Sequence, residues 1–389
     1  MKSNHRIARK IFCILLSAVI LFSFCSCGSS AAGKGDVTTI NFSATGDNLI
    51  HERLYQQANA RAGGGKNYDF DYCYEKVSPF YKKQELNWIN QESLANTKIP
   101  ADSYPTFSTP GQAVQSLYKL MNERIFSVSN NHTYDKGADG LAATLEFYHK
   151  EMPKDILCTG IWNKKDLSYI PVYTCKGQKI AFLSYTYYTN GIKTPEDSLY
   201  RVIYTKETNV IKKQLALARQ KADVVIVGCH WGTENSHQIN VEQVKLARNL
   251  ADWGADLIIG THPHVVQDAG WVTGPKTGRK VFCAYSLGNF ISTQSQPDQV
   301  VGMVLACTIR VANTRDGKKV SIVKPRFYPT VTQYGADASN DHVEWFANYT
   351  DEMANSHGIH LRGTTFTRDS IRKILTDNVN RKYLVLPKA

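Results

Sequence analysis

The chain reads as an α/β protein built on a layered sheet with helices over both faces. Three observations predict this. Short β-rich runs alternate with helical stretches along most of the 389 residues. Several runs, above all Asp223–Cys229 and Asp256–Gly260, are apolar nearly throughout, the pattern of strands buried on both faces. Side chains able to bind metals fall just past the ends of those runs, where open α/β sheets form their ligand crevice.

Taken in order, Thr38–Thr45 is the first strand, rich in β-branched and aromatic residues. Phe70–Gln84 reads as a helix and Leu86–Asn90 as a strand. Gly111–Glu123 is helical, Ile125–Ser129 a strand and Leu141–Lys150 helical. Pro171–Cys175 and Lys179–Tyr185, joined through Lys176-Gly177-Gln178, make a hairpin. Lys206–Lys221 is an amphipathic helix leading into the Asp223–Cys229 strand. Helix Val241–Trp253 leads into the Asp256–Gly260 strand, and Lys280–Tyr285 is a further strand. From Val300 the pattern changes: Val300–Val311 and Val320–Tyr328 flank Asp316-Gly317 as antiparallel strands. Helical patches follow near His342–Asn355 and Ser370–Asn378. No internal repeat and no transmembrane stretch is found after residue 27.

The N-terminus bears on location. Lys2, Arg6, Arg9 and Lys10 precede the apolar stretch Ile11–Phe24, which is short for a membrane span and suits a signal-peptide core. Phe24-Cys25-Ser26-Cys27-Gly28-Ser29-Ser30 resembles a bacterial lipobox with Cys27 as the lipidated residue. The alternative is an uncleaved anchor helix; either places the remainder outside the cytoplasm. Residues 28–37 are small and polar and read as a tether. Cleavage would leave 42 basic against 34 acidic side chains, a charge of +8 in place of +12. A basic exported protein suits a polyanionic partner such as anionic lipid or an acidic surface polymer. The lack of a compact Lys/Arg run argues against nucleic acid. Beyond the leader, Cys73, Cys158, Cys175, Cys229, Cys283 and Cys307 are scattered without C-x-x-C spacing, so zinc-knuckle and disulfide frameworks are both weak expectations.

The metal-competent residues are Asp47 behind the first strand, Asn90 and Glu92 behind the second, Asn130, Asn131 and His132 behind Ile125–Ser129, His230 behind Asp223–Cys229, and His262 and His264 behind Asp256–Gly260. Pro263 biases His262 toward an extended backbone, which would project both imidazoles to one side. Gly232 permits a sharp turn behind His230. Trp231 either walls a pocket or fills core. Glu234 either hydrogen-bonds a ligating histidine or faces solvent. Asn131 and His132 are either an amide ligand with a proton donor beside it or a strand-to-helix turn with a surface histidine; Asp135 fits both. Carboxylates, imidazoles and an amide suit Zn, Mn or Fe, and the absence of clustered cysteines excludes a thiolate site.

These motifs, with Thr45-Gly46-Asp47, Asn130-Asn131-His132-x-x-Asp135-x-Gly137, Gly260-Thr261-His262-Pro263-His264 and Tyr285-Ser286-Leu287-Gly288-Asn289-Phe290, occur in an order that resembles the CapA, or poly-γ-glutamate biosynthesis, family over roughly residues 38–300. That resemblance implies a calcineurin-like metallophosphoesterase fold, a four-layer α/β/β/α sandwich of two mixed sheets, with residues 301–389 completing or flanking it. It implies one or two divalent ions. Asp47 and His264 would hold one, Asn131, His230 and His262 the other, with Glu92 bridging and His132 as general acid. Asn90, Asn130, Glu234 and Asn289 would support the site or touch substrate. The superfamily's Asp-x-His is absent, since Asp47-Asn48-Leu49 stands there; His51 either substitutes or faces solvent. Two functions follow. One is a metal-dependent hydrolase of a phosphoester or polymer-linked bond. The other is a non-catalytic tethering factor for an anionic surface polymer within a capsule-synthesis membrane complex. A surface-binding protein with a vestigial site is a third possibility.

Overall fold

The computed structural model describes residues 36–387; the leader, Cys27 and all but the last two residues of the tether lie outside the described residues. The first strand is longer than its sequence pattern suggests. It runs over Val37–Asn48 (β1) and is followed by a helix at Glu52–Arg61 (α1), beginning directly after His51. Then come Leu86–Gln91 (β2), Gln112–Met121 (α2), Ile125–Ser127 (β3), Gly137–Glu146 (α3) and Leu157–Thr159 (β4). The hairpin is Val172–Cys175 (β5) with Gln178–Thr186 (β6). Next are Thr208–Lys221 (α4), Val224–His230 (β7), Val241–Trp253 (α5), Leu257–Thr261 (β8), Ala269–Thr273 (β9), Lys280–Ala284 (β10) and Asn289–Ile291 (β11). The chain finishes with the long hairpin Val301–Thr314 (β12) and Gly317–Gln333 (β13), then His342–Trp345 (β14) and Arg368–Asn378 (α6).

Two mixed sheets result. The first has the order β14-β13-β12-β1-β2-β3-β4, with β11 also on β1; β1 to β4 are parallel and the β12–β14 side antiparallel. At its Asp47 end β1 exchanges one neighbour for another, pairing with β12 through Ala44 and with β11 from Asp47. The second sheet has the order β9-β10-β8-β7-β6-β5, parallel in its middle and antiparallel at both edges. The sheets face one another across Phe42, Trp88 and Ile125 on one side and Phe182, Ile226, Leu257 and Phe282 on the other. Phe42 and Phe182 stack across the seam with centroids 6.4 Å apart. The outer face of the first sheet packs on α1, α2 and two short turns, and that of the second on α4 and α5. This is the four-layer sandwich. Strand faces buried on both sides explain the continuous apolar runs.

Two expectations fail. Phe70–Gln84 is not one helix but two single turns, Asp71–Tyr74 and Ser78–Tyr81, and the second starts where Pro79 supplies no amide for continuation. The patch near His342–Asn355 opens instead as strand β14, because His342–Trp345 pairs with Thr330–Gln333; only Asp351–Asn355 is α-helical. Among the described residues no helix is long and apolar enough to cross a membrane.

Candidate metal centre

The strand carboxyl ends of both sheets meet at one point. Asp47 lies at the end of β1, Asn90 within β2, Glu92 one residue beyond it, and Asn131 and His132 in the turn after β3. The second sheet contributes His230, the last residue of β7, and His262 and His264 just beyond β8. All are buried. Apolar strands end there, so polar side chains are delivered into a space the core has already dried.

The contacts fall into two halves joined by Glu92. On one side, Asn131 Oδ1 lies 2.7 Å from His230 Nε2, and His262 Nδ1 lies 3.1 Å from the same nitrogen. On the other, Asp47 Oδ2 lies 3.3 Å from His264 Nδ1. Glu92 Oε1 stands 3.7 Å from His230 Nε2 and 3.6 Å from His264 Nε2. Ligand atoms of Glu92, His262 and His264, and of Asp47, Glu92 and His230, lie within 4.8 Å of one another. Neither oxygen of Glu92 has a hydrogen-bond partner, although the residue is wholly buried. A lone buried carboxylate costs several kcal/mol, and a cation among these imidazoles would remove that cost. The donor set therefore fits a divalent ion, and its imidazole, carboxylate and amide composition suits Mn, Zn or Fe.

Supporting contacts orient these groups. Asn90 Nδ2 donates to Asp47 Oδ1 (2.7 Å), and the His262 amide donates to Asp47 Oδ2 (3.2 Å). His264 Nδ1 donates to Asn289 Oδ1 (3.0 Å), leaving Nε2 toward Glu92. His230 Nδ1 is held by the Thr261 hydroxyl (3.0 Å), leaving Nε2 toward Asn131. Asn130 builds the turn: its Oδ1 accepts from the His132 amide and its Nδ2 donates to the Gln91 carbonyl, each at 3.0 Å. Burial and the charges of His262 and His264 push His230 well below the ordinary imidazole range. Burial, then the charge of His264, pushes His262 down to about 3. His264 also suffers burial, but Glu92 and Asp47 overcome it and raise it to about 10. Burial holds Glu92 well above the carboxylate range against the pull of His264. Without a cation the centre thus keeps two neutral imidazoles ready to donate lone pairs.

The backbone route to His262 and His264 differs from expectation. Neither is extended: φ is +99° at His262 and +59° at His264, in the left-handed region. Each such residue costs about 1–3 kcal/mol. The His230, Asp47 and Asn289 contacts fix these rings and offset that strain. Their convergence therefore comes from a strained turn rather than from strand alternation.

Other residues sit further out. His51 belongs to neither clustered ligand group; its Nδ1 accepts from the Thr293 amide at 3.3 Å, and burial pushes it down to about 4. Glu234 is 43 % exposed and its Oε1 is 4.0 Å from His262 Nε2, beyond hydrogen-bond range. It accepts from the Tyr188 hydroxyl instead (3.0 Å). Trp231 is core: it is 2 % exposed and its indole donates to the Tyr285 carbonyl (2.9 Å). His132 Nδ1 pairs with Asp135 Oδ2 at 2.7 Å, and Phe107 lies edge-on between His132 and His51. Sequence reasoning missed Phe107, Tyr188, whose ring lies 5.4 Å from that of His262, and Asn190, whose Oδ1 accepts from Asn131 Nδ2 (3.1 Å). None of the three stands in a recognisable motif.

The chain is similar to several known proteins. The family described as bacterial capsule synthesis protein PGA_cap matches residues 41–294. The capsule biosynthesis protein CapA of Bacillus anthracis is 30 % identical over 240 residues, 58 % of this chain and 55 % of that one, so the match spans little more than half the relative's length. The PGA biosynthesis protein CapA of Bacillus subtilis is 28 % identical over 287 residues, covering 71 % and 70 %. Among solved structures, a 5′-nucleotidase from Candida albicans is similar with a TM-score of 0.37 and 11 % identity, over 73 % of this chain and 50 % of that one.

Proposed function

Since the chain belongs to the bacterial capsule synthesis family PGA_cap, we propose that it is a surface lipoprotein of capsule or poly-γ-glutamate synthesis whose buried centre binds a divalent ion and hydrolyses a phosphoester-type bond. Glu92 is the observation that carries this: a dry carboxylate with no partner, placed between two groups of ligand atoms. Zn, Mn or Fe bound there would supply Lewis acidity and make water nucleophilic near neutral pH. Asp47 and His264 would hold one ion, and Asn131, His230 and His262 a second, with Glu92 shared. His132, its Nδ1 fixed by Asp135, would pass a proton from Nε2 to the leaving oxygen. Lipid on Cys27 would anchor the chain to the outer face of the cell membrane. An anionic surface polymer and a capsule-synthesis membrane complex are the partners expected from its basic charge and its family.

Elemental analysis of the purified protein should find Mn, Zn or Fe at one or two ions per chain. A folded protein that takes up none after reconstitution would sink the proposal. Replacing His132 by Ala should spare the metal and lower turnover of generic phosphodiesters by about 10²–10⁴-fold.

A second reading is a non-catalytic tethering factor. The position of His51 outside the cluster favours it, since one ion then lacks a histidine that the superfamily supplies. Equal, negligible turnover by wild type and His132→Ala, with metal bound in both, would select it.

A further inference from the structure

A groove of about 870 Å³ opens beside the centre and shares His262 with it. Its charged lining is Lys206 and Lys245 against Glu234 and Glu242, with no arginine, so the charges cancel. A track for a polyanion would show an excess of basic side chains. The remaining walls are mostly aromatic and neutral polar, with Leu246 and Gly232 between them. Tyr187 is 53 % exposed and faces the space beside Tyr188, while Thr205, Thr208 and Asn249 add uncharged hydroxyls and an amide. The two tyrosine rings stand 5.6 Å apart at 65° to each other. They form a corner rather than a parallel slot, so they cannot sandwich a flat base. A corner of aromatic faces rimmed by hydroxyls and amides fits a puckered ring that carries hydroxyls.

We propose that this groove binds a neutral saccharide unit of the substrate, linked to the bond acted on at the adjoining centre. The assignment of the linked bond rests on the hydrolase reading above; the saccharide site itself does not. Tyr187 supplies an apolar face, the hydroxyls and Asn249 read ring hydroxyls, and the Tyr188 hydroxyl is held in place by Glu234. The loop carrying both tyrosines is fixed to the second sheet, because the Tyr187 amide donates to the His230 carbonyl (2.8 Å).

The test is calorimetric titration of the purified protein with a panel of short neutral oligosaccharides of glucose, galactose, mannose and N-acetylglucosamine, and with an oligo-γ-glutamate of similar length. At least one saccharide should bind, with little change between low and high salt, and Tyr187→Ala should weaken it about tenfold. Failure of every saccharide to bind overturns the proposal. So does oligoglutamate binding that falls steeply with salt and is lost in the Lys206→Ala, Lys245→Ala double variant. Asp47→Asn, which removes a candidate metal ligand but does not line the groove, separates the two readings. Saccharide binding that survives in this variant while wild type shows no metal and no turnover would leave the groove standing and the hydrolase reading fallen. Turnover without saccharide binding would give the reverse.

Discussion

Glu92 and Glu123 are both wholly buried carboxyls without a hydrogen-bond partner, yet their settings differ. Glu92 faces three imidazoles. Glu123 follows α2, beside Tyr81, and only the neighbouring Arg124 offers a positive charge. Burial therefore holds Glu123 well above its ordinary 4.5, with Arg124 opposing. The folded protein keeps this proton where the unfolded chain releases it, so stability falls as pH rises past about 4.5. Glu123→Gln should flatten that fall and stabilise the fold at neutral pH by about 1–3 kcal/mol, read from urea midpoints. Glu92→Gln should act differently. It should abolish metal retention while raising the melting temperature of the metal-free protein, because it removes a carboxyl that burial forces to take up a proton on folding. The residues of the centre were legible because each stands behind a strand in a compact motif. Asn190 and Tyr188 were not, since both sit on a loop whose sequence carries no signature and meet the centre only through tertiary packing.

Among the elements, α5 shows why some boundaries can be read from sequence. Asn240 accepts from the Gln243 amide while the Gln243 side chain accepts from the Asn240 amide, a reciprocal N-terminal cap, and Gly254 closes the helix with φ of +111°. Asn240→Ala should cost about 1 kcal/mol in chemical denaturation with the metal content unchanged. Strand β8 carries the opposite constraint. A Cβ at Gly260 would collide with the Tyr285 carbonyl and press on the Trp231 indole. Gly260→Ala should thus destabilise the protein by about 1–3 kcal/mol and loosen the His262–His264 turn, seen as weaker metal retention. Where elements were misread, the periodicity was ambiguous. His342–Trp345 has no strand alternation strong enough to outvote a helix, and only pairing with β13 decides it. The single turns at Asp71–Tyr74 and Ser78–Tyr81 share one apolar surface, which mimics a longer helix until Pro79 is taken into account.

At the scale of the whole molecule, the layering was legible and the pairing order was not. Alternating apolar strands and helices specify covered sheets, but nothing local says that the β12–β13 hairpin belongs beside β1. The centre draws side chains from both sheets, so a bound ion ties the two halves of the sandwich together. Chelation should lower the calorimetric melting temperature, and restoring Mn or Zn at a hundredfold excess over Kd should return about 2.7 kcal/mol. An unchanged transition would mean that no tight cation bridges the sheets.

The place of β12 has a further consequence. Ile40 lies opposite Ile309, so the first strand waits for a partner synthesised more than two-thirds of the chain later. Until that hairpin emerges, one side of β1 is a bare row of amides and carbonyls, a template for pairing with other chains. Closing so long a loop is slow. A nascent or prematurely terminated chain ending before residue 301 would therefore be a species for chaperones and proteases to clear, even with every metal-competent side chain of the centre already made.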